Sequence, residues 1–303
     1  MYNNLNCAVM GSINMDFILK MDRVPEVHEN VLGTDYGYAF GGKGANQATA
    51  LKRLGANVKM LGKVADDDNG HKLIENLNNI GIDTSGICKN GSQTGLAAIL
   101  IDSEGRNRIV VYEGANSEIE PEKAISNISP ETDLLLVQFE TNEDAVIKAV
   151  NYAVENNITT VVDCGPAKNF SLEKMQGITI LSPNENETEA LTGIFPIDEK
   201  SILKASKILY ERSKAKYIVL KLGERGCSVW DNETLKIMPA YKSNVVDTTA
   251  AGDCFTAAMA LHYMKTGNIY DACDMGNKAG SIAVSRMGAA DSMPTINELE
   301  NIF

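Results

Sequence analysis

The sequence lacks the features that would direct a protein into a membrane or out of the cell. No apolar run approaches the roughly 20 residues that a transmembrane helix needs. Residues 1–6 carry no basic side chain and lead into the short apolar stretch Cys7–Met10, which is unlike a secretory signal. The six cysteines form no C-x-x-C pair. We therefore expect a reduced, cytoplasmic protein with buried thiols and no membrane partner.

Positive charge is also scarce. The chain has 28 Lys and Arg against 40 Asp and Glu, so its net charge is −12. A field of this sign does not attract nucleic acid or anionic lipid, which argues against a general DNA- or RNA-binding role. Small anionic ligands are still possible, because a local cradle of backbone N–H groups can override the global charge.

Several common catalytic motifs are missing as well. The chain has no G-x-S-x-G elbow, which argues against a serine hydrolase, and no G-x-G-x-x-G, which argues against a nicotinamide-binding site. The three histidines, His28, His71 and His262, are isolated and match no metal motif. We assign none of them to a metal or a catalytic triad.

Short apolar runs alternate with helical patterns over most of the 303 residues. The run Leu134–Val137 has no polar alternation, which is typical of a parallel strand covered on both faces. The sequence predicts an α/β fold: one domain over residues 1–303, with a doubly wound, mostly parallel sheet flanked by helices. Strands are expected over 7–10, 58–61, 134–137, 159–162, 178–181 and 217–220, and helices over 45–54, 69–79, 143–156, 185–191, 202–212, 252–265 and 270–286.

Two stretches interrupt this alternation. The runs 17–20 and 31–40 read as strands before the first helix, and the runs 96–101 and 108–112 flank a hairpin signal at Asp102–Gly105. These pieces predict a small antiparallel β lid outside the main sheet, inserted at about 15–41 and 94–113. Turn residues near 223–226 and 231–233 predict a late β-meander.

The densest glycine cluster is Gly41–Gln47, which opens a predicted helix. Residues 37–43 fit G-x-x-x-x-G-K, but Gly44 stands where a P-loop needs Ser or Thr, and no strand ending in Asp suggests itself as a Walker B element. We therefore reject the P-loop. Lys43 and Asn46 would still present donors at a helix N-terminus. The alternative is a glycine-rich turn with a solvated Lys43.

A second cluster, Asp247–Phe255, joins an extended segment to a helix. The small residues Ala250, Ala251 and Gly252 free successive N–H groups to form an anion hole suited to a transferring phosphoryl group. Asp253 then reads as the base that takes a proton from an attacking hydroxyl. It reads equally well as a plain acid that stabilises the first turn of a helix.

Polar residues also follow three predicted strands. Asn14 and Asp16 follow the first strand, Glu140 follows the strand ending near 138, and Ser182–Glu187 follows the strand 178–181. The last cluster is also a normal helix cap with acidic first-turn residues. Because the carboxyl ends of parallel strands share one edge, these side chains are expected around one crevice.

Taken together, these motifs resemble the ribokinase-like sugar kinases, the PfkB family, over nearly the whole chain. The landmarks are Gly11–Asp16, Gly41–Gln47, Gly114–Asn116, Pro183–Glu185, Leu222–Gly226 and Asp247–Asp253. The resemblance implies ATP-dependent phosphorylation of D-ribose at its 5-hydroxyl, with Mg²⁺ accompanying ATP. It implies Asp253 as the general base and Ala250, Ala251 and Gly252 as the anion hole.

The resemblance also implies the remaining site residues. Those for the sugar are Asn14, Asp16, Gly42, Lys43, Asn46 and Glu140, together with Asp253. Those for ATP are Asn184, Glu187, Lys221, Gly223, Gly226, Gly252 and Asn277. A monovalent cation, K⁺, would be held by Asp247, Thr249, Ala283, Arg286, Gly288 and Ser292, several through backbone oxygen. The lid would form the contact of a homodimer.

The chain departs from the family pattern at two positions. Ala250 replaces the first glycine of the anion-hole motif, although alanine disfavours a positive φ. Lys221 stands where a small hydroxyl residue is common, so its role is open. Alternative readings are a kinase of the same fold acting on 2-deoxyribose, a nucleoside or a sugar phosphate, and a non-catalytic sugar sensor. The single Trp offers little for stacking a nucleoside base.

Overall fold

The structure, a computed structural model, describes residues 2 and 4–302. Its strands in chain order are β1 (Asn6–Met10), β2 (Asn14–Met21), β3 (Gly33–Gly41), β4 (Asn57–Ala65), β5 (Asp83–Gly91), β6 (Gly95–Ile101), β7 (Asn107–Tyr112), β8 (Leu134–Gln138), β9 (Thr159–Asp163), β10 (Ile180–Ser182), β11 (Tyr217–Lys221), β12 (Cys227–Trp230) and β13 (Leu235–Met238). Its helices are α1 (Lys43–Arg53), α2 (Asp68–Ile80), α3 (Pro121–Ser126), α4 (Glu143–Glu155), α5 (Glu185–Thr192), α6 (Glu199–Ser213), α7 (Ala251–Thr266), α8 (Ile269–Ala283) and α9 (Ile296–Ile302).

A large sheet runs through the centre of the molecule in the order β13-β12-β11-β10-β9-β8-β1-β4-β5. Its strands are parallel from β11 to β5, whereas β12 and β13 turn back antiparallel at one edge. The predicted doubly wound sheet and late meander are therefore confirmed. The order reverses at β1, whose neighbours are β8 and β4, and such a reversal opens a crevice at the carboxyl ends of the strands.

Alternate residues of the central strands face opposite helical layers. Val9 and Leu136 pack in one buried cluster with α1, α2, α7 and α8. Ala8 and Leu135 pack in the other cluster with α3, α4, α5 and α6. Each buried leucine of this kind contributes roughly 1.5–3 kcal/mol to folding. Burial on both faces explains why these strands read as continuous apolar runs.

Some elements differ from the sequence prediction. Strand β5 was missed because it lies at the sheet edge and has few apolar residues, and the short helices α3 and α9 were missed too. The predicted strand 178–181 begins only at Ile180. The predicted helix 270–286 ends at Ala283, and β3 begins at Gly33 rather than at residue 31.

The predicted small sheet is present, in the order β3-β2-β6-β7. Its outer pairs are antiparallel, but β2 and β6 pair in parallel. β2 follows β1 and β6 follows β5, and both β1 and β5 are strands of the large sheet. β2 and β6 therefore leave the large sheet in the same direction, and each is the first strand of a hairpin. The small sheet carries exposed apolar side chains: Tyr36, Tyr38, Phe40, Ile109, Val110, Val111 and Tyr112.

All six cysteines are free thiols, and every one except the half-buried Cys88 is buried. No helix within residues 2 and 4–302 combines the length and apolar character needed to cross a bilayer.

Candidate active site

The N-terminus of α1 reaches the carboxyl edge of the large sheet through Gly42. This residue has φ 92°, and a Cβ there would lie 2.6 Å from the Ser12 carbonyl oxygen. Only glycine allows the helix start to lie so close to the turn after β1. This contact aims Lys43, Asn46 and Gln47 toward the ends of the strands.

The N-terminus of α7 lies at the same edge and has no side-chain cap. The helix begins after Ala250, which is left-handed with φ 57° and ψ 10°. The loop thus accommodates alanine at a positive φ, and this backbone conformation costs roughly 1–2 kcal/mol. The Ala251 N–H donates to the Thr248 carbonyl oxygen at 3.3 Å. The start of α7 also carries a partial positive charge, so an anion is favoured beside Ala251 and Gly252.

Asp253 lies in the first turn of α7 and is 4% exposed. Its Oδ2 accepts a hydrogen bond from Asn46 Nδ2 at 3.0 Å, and its Oδ1 accepts one from Gln47 Nε2 at 2.9 Å. Lys43 Nζ lies 3.9 Å from Oδ1. Thus the clusters Gly41–Gln47 and Asp247–Phe255 meet around one carboxylate, with Asn46 and Asp253 separated by 207 residues in sequence.

Burial raises the pKa of Asp253, Lys43 opposes that rise, and the nearby Asp163 carboxylate adds to it. Burial lowers the pKa of Lys43, but Asp253, Asp163 and Glu187 outweigh burial and raise that pKa above its ordinary value. The site therefore holds a charged lysine beside a carboxylate that accepts a proton more readily than a solvated one.

Asn14 and Asp16, both on β2, lie beside the residues that precede α1, since a Cβ on Gly42 would lie 2.8 Å from the Asn14 nitrogen and one on Gly41 would overlap Asp16 Oδ2. Asn14 is 2% exposed, and its Oδ1 accepts a hydrogen bond from Asn116 Nδ2 at 2.7 Å. Burial and the nearby Glu140 raise the pKa of Asp16 to about 7. Glu140 accepts from the Ser12 hydroxyl and from the backbone N–H of Lys43, the latter at 3.3 Å. It thereby ties β8, the β1–β2 turn and α1 together.

Sequence reasoning missed Asp163. It ends β9 and is fully buried, and its Oδ2 lies 2.6 Å from Lys221 Nζ. Strand β9 therefore ends in an Asp, although no Walker B strand of this kind suggested itself from the sequence. The apolar run Thr159–Val162, followed directly by Asp163, was the signal that could have found it. Burial raises the pKa of Asp163, but Lys221 and Lys43 outweigh burial and hold it below its usual value.

The cluster that opens α5 forms a complete helix cap. Asn184 Oδ1 accepts from the Glu187 N–H at 2.9 Å, while the Glu187 carboxylate accepts from the Asn184 N–H and side-chain amide at 2.7 and 2.9 Å. The capping interpretation is confirmed. Glu187 is only 2% exposed, and burial raises its pKa. Because a carboxylate has about four lone-pair sites, this cap leaves some of them for a further ligand.

The residues expected at the nucleotide lie on two segments. Gly223 and Gly226 bracket the turn between β11 and β12. Asn277, on α8, donates to the Pro239 carbonyl oxygen at 3.2 Å and lies 3.6 Å from Cys227 Sγ. These contacts hold α8 against β12 and the segment after β13. Lys221 is the exception, since its ammonium turns away from this turn toward Asp163.

The residues expected at a monovalent cation surround Asp247. Its Oδ1 accepts from the Thr249 N–H and hydroxyl at 2.9 and 2.6 Å, and its Oδ2 accepts from the Gly288 N–H at 2.9 Å. The Arg286 guanidinium points instead to Glu298, at 2.6 Å. The Ser292 hydroxyl donates to the Ala289 carbonyl oxygen, and Ala283 is buried at the end of α8. Asp247, the hydroxyls of Thr249 and Ser292 and the backbone oxygens of residues 283–292 are hard oxygen donors, of the kind that K⁺ prefers.

In the described part of the chain, no three His, Cys, Asp or Glu side chains converge as ligands of a metal. The site contains paired lysines and carboxylates, a helix start without a side-chain cap and the buried Asp253 carboxylate. These groups can deprotonate a hydroxyl and stabilise the negative charge of a transferring phosphoryl group.

Comparisons with known proteins agree with this chemistry. The model of the pfkB family carbohydrate kinases matches residues 4–296. A ribokinase from Bacillus subtilis is 34% identical over 301 residues, which is 98% of this chain and 99% of the relative. The crystal structure of a ribokinase from Thermotoga maritima superposes with a TM-score of 0.87 at 32% identity, covering 98% of both chains. The structure of an Arabidopsis thaliana ribokinase complexed with ribose and ATP superposes with a TM-score of 0.87 at 27% identity, also covering 98% of both chains.

Proposed function

This chain belongs to the pfkB family of carbohydrate kinases, and we propose that it transfers the terminal phosphoryl group of ATP to the 5-hydroxyl of D-ribose. The observation that carries the reaction is the setting of Asp253. This buried carboxylate lies one residue beyond Gly252 at an uncapped helix start. A base and an anion-binding element thus lie side by side, as phosphoryl transfer to a hydroxyl requires.

In the proposed reaction, Asp253 accepts the proton of the attacking sugar hydroxyl while its oxygens stay oriented by Asn46 and Gln47. The N–H groups of Ala251 and Gly252 face the negative charge of the transferring phosphoryl group. The charged Lys43, beside Asp253, approaches the same group from the α1 side. The bond from the phosphorus to the sugar oxygen forms as the bond to ADP breaks.

The other sugar hydroxyls are assigned to the crevice between β2 and α1. Asp16 accepts from two vicinal hydroxyls, because a carboxylate offers enough lone pairs for both. Asn14 presents its amide beside Asp16, and the amide of Asn46 reaches the sugar from α1. Glu140 and Gly42 define the floor, since both contact the turn that follows β1.

ATP is assigned to the groove between the β11–β12 turn and α8, with Gly223, Gly226 and Asn277 beside the nucleotide. Asn184 and Glu187 fit Mg²⁺ that accompanies ATP, because amide and carboxylate oxygens are hard donors. Such an ion supplies charge neutralisation on the phosphates.

A monovalent cation, K⁺, is assigned beside Asp247, Thr249 and the turn over 283–292. The hydrogen bonds that Asp247 accepts from the N–H groups of Thr249 and Gly288 fix the spacing of the two segments next to the anion hole. K⁺ there supports the loop geometry that presents Ala250, Ala251 and Gly252.

We assign the small sheet to two roles. As a lid, it would close over ribose and exclude the water that would otherwise hydrolyse ATP. As a contact, its exposed apolar side chains, including Tyr36, Tyr38 and Val110, would be covered by a second copy in a homodimer. A molar mass from light scattering near twice 32.8 kDa supports the dimer, and a monomer contradicts it.

The free thiols suit the reducing conditions of the cytoplasm.

The test of the substrate is ADP release from ATP with a panel of acceptors, with and without K⁺. The panel is ribose, 2-deoxyribose, fructose, fructose 6-phosphate, adenosine and uridine. Preference for ribose, increased by K⁺, supports the proposal. Preference for 2-deoxyribose or a nucleoside keeps the base at Asp253 but overturns the assignment of Asn14 and Asp16. Sugar binding without any turnover favours a sensor.

A further inference from the structure

One buried ion pair beside the anion hole has no role in the reaction described above. Asp163 ends β9 and Lys221 ends β11, with β10 between them, and their side chains meet at 2.6 Å. Asp163 is 0% exposed and Lys221 is 8% exposed. Burying two charges is costly, so a pair of this kind needs a compensating set of contacts or a function.

Asp163 is hydrogen-bonded on both of its oxygens. Its Oδ2 accepts from Thr256 Oγ1 at 2.9 Å and from Gln47 Nε2 at 3.1 Å, in addition to Lys221. Its Oδ1 accepts from the Gly165 N–H at 3.2 Å. Thr256 lies one helical turn after Gly252, to whose carbonyl oxygen it also donates. The carboxylate therefore ties α1, the first turn of α7 and the end of β11 to one point.

Gln47 links this carboxylate to the base. Its Nε2 donates both to Asp163 Oδ2 and to Asp253 Oδ1, at 3.1 and 2.9 Å. Its Oε1 accepts from Gln138 Nε2 at 2.6 Å, which fixes the orientation of the amide. Both hydrogens of the Gln47 amide are thus used to hold the two carboxylates. Loss of one acceptor would leave one of these hydrogens unpaired and remove one of the contacts that fix the amide.

Lys221 lies next to the helix start. A Cβ built on Gly252 would lie 3.9 Å from Lys221 Nζ, so the ammonium faces the backbone whose N–H groups form the anion hole. Burial lowers the pKa of Lys221, but Asp163 and Glu187 outweigh burial and raise it. The lysine therefore stays charged where negative charge is to be stabilised.

We propose that Asp163 is a positioning residue for phosphoryl transfer: it holds the Lys221 ammonium against Gly252, where Lys221 contacts the transferring phosphoryl group, and through Gln47 it orients the Asp253 carboxylate. This inference rests on the proposed kinase reaction and extends it to two residues. It makes Lys221 a catalytic residue, whereas Asp163 acts through its neighbours.

Four proteins separate this role from that of a purely structural ion pair: wild type, Asp163→Asn, Lys221→Met and the double variant. We expect each single variant to lose about 100-fold in kcat, with little change in the KM of the sugar. The double variant removes both buried charges, so its melting temperature should recover toward wild type. Its kcat should stay low, because the ammonium is still missing. Recovery of kcat in the double variant would overturn the proposal.

Two features keep this experiment decisive. If a single variant fails to fold, the folded double variant still gives the answer through its kcat. The exposed pair of Lys148 and Glu122 provides a matched control, because Lys148→Met with Glu122→Gln also removes an ion pair but far from the site. That control should keep the wild-type kcat.

A binding measurement tests Lys221 without any sugar. Calorimetry compares Mg²⁺ complexes of ADP and of a non-hydrolysable ATP analogue. Lys221→Met should weaken binding of the analogue by about 10-fold more than that of ADP, since only the analogue carries the terminal phosphoryl group. Equal losses contradict the proposal. Absence of sugar phosphorylation by wild type would instead refute the proposed function, while this comparison would still decide the role of Lys221.

Discussion

The most informative single change is to replace the carboxylate of Asp253 by an amide. Asp253→Asn keeps the size of the side chain but removes its ability to accept a proton. If Asp253 is the general base, kcat should fall by roughly 10²–10⁴, the usual contribution of a positioned base. This loss corresponds to about 3–5 kcal/mol of transition-state stabilisation.

The effect on folding should be much smaller. Asp253 is buried and its pKa is raised, so the ionised carboxylate costs stability that the neutral amide does not. Against this gain, Asn46 or Gln47 loses one acceptor, which costs about 1–2 kcal/mol. The two terms offset, and we expect the free energy of unfolding to change by about 1 kcal/mol at most. A loss of activity would therefore report chemistry rather than unfolding.

The assay measures ADP release at saturating ATP and sugar, together with sugar binding by calorimetry and a melting curve. Asp271→Asn is the matched control, because Asp271 is also an acid in the first turn of a helix but is exposed and outside the site. If Asp253 only stabilises its helix, both variants should show a small loss of stability and near wild-type kcat. That outcome would refute the assignment of the base.

Three further predictions concern the rest of the site. The pKa of Asp16 is raised to about 7, so this carboxylate takes up a proton as the pH drops below about 7, and kcat/KM for the sugar should fall. The pH profiles of wild type and Asp16→Asn test this. If kcat/KM of the variant falls at low pH in the same way, Asp16 is not the group that titrates. Gly42→Ala should destabilise the protein by about 3 kcal/mol, since a Cβ there would lie 2.6 Å from the Ser12 carbonyl oxygen at a φ of 92°; a melting curve and denaturant titration test it, and an unchanged melting temperature would exclude the close contact. Asp247→Ala should remove activation by K⁺. Arg286→Lys should keep that activation, because the Arg286 side chain points to Glu298. The dependence of kcat on K⁺ concentration compares the two variants, and an equal loss of activation in both would mean that the cation lies elsewhere.

Much of the fold could be predicted from local patterns. The run Leu134–Val137 is apolar at every position because β8 is covered on both faces, and this information lies within four residues. The clusters of small residues that open α1 and α7 were also found, because small residues before a helical pattern are a local signal. By contrast, β5 could not be found, since an edge strand needs little apolar surface.

The contents of the candidate site divide in the same way. Asp253, Lys43 and Asn46 stand in recognisable clusters, and the resemblance to the PfkB family named them. Asp163 stands in no cluster. Its position at the end of an apolar run was a weak signal, but its contact with Lys221, 58 residues away in sequence, depends on β9 and β11 lying on either side of β10.

The sequence by itself determined the alternation of strands and helices and the clusters of small residues that open α1 and α7. It offered Asp253 equally as a base and as an acid that stabilises its helix. These features depend on periodicity and on the conformational preferences of neighbouring residues. Only the tertiary structure decided that Gln47 holds Asp163 and Asp253 together, across separations of 116 and 206 residues. It also decided that β2 and β6 pair in parallel. Both depend on strand order and helix packing, which arise from burial of the whole core, so no short stretch of sequence contains them.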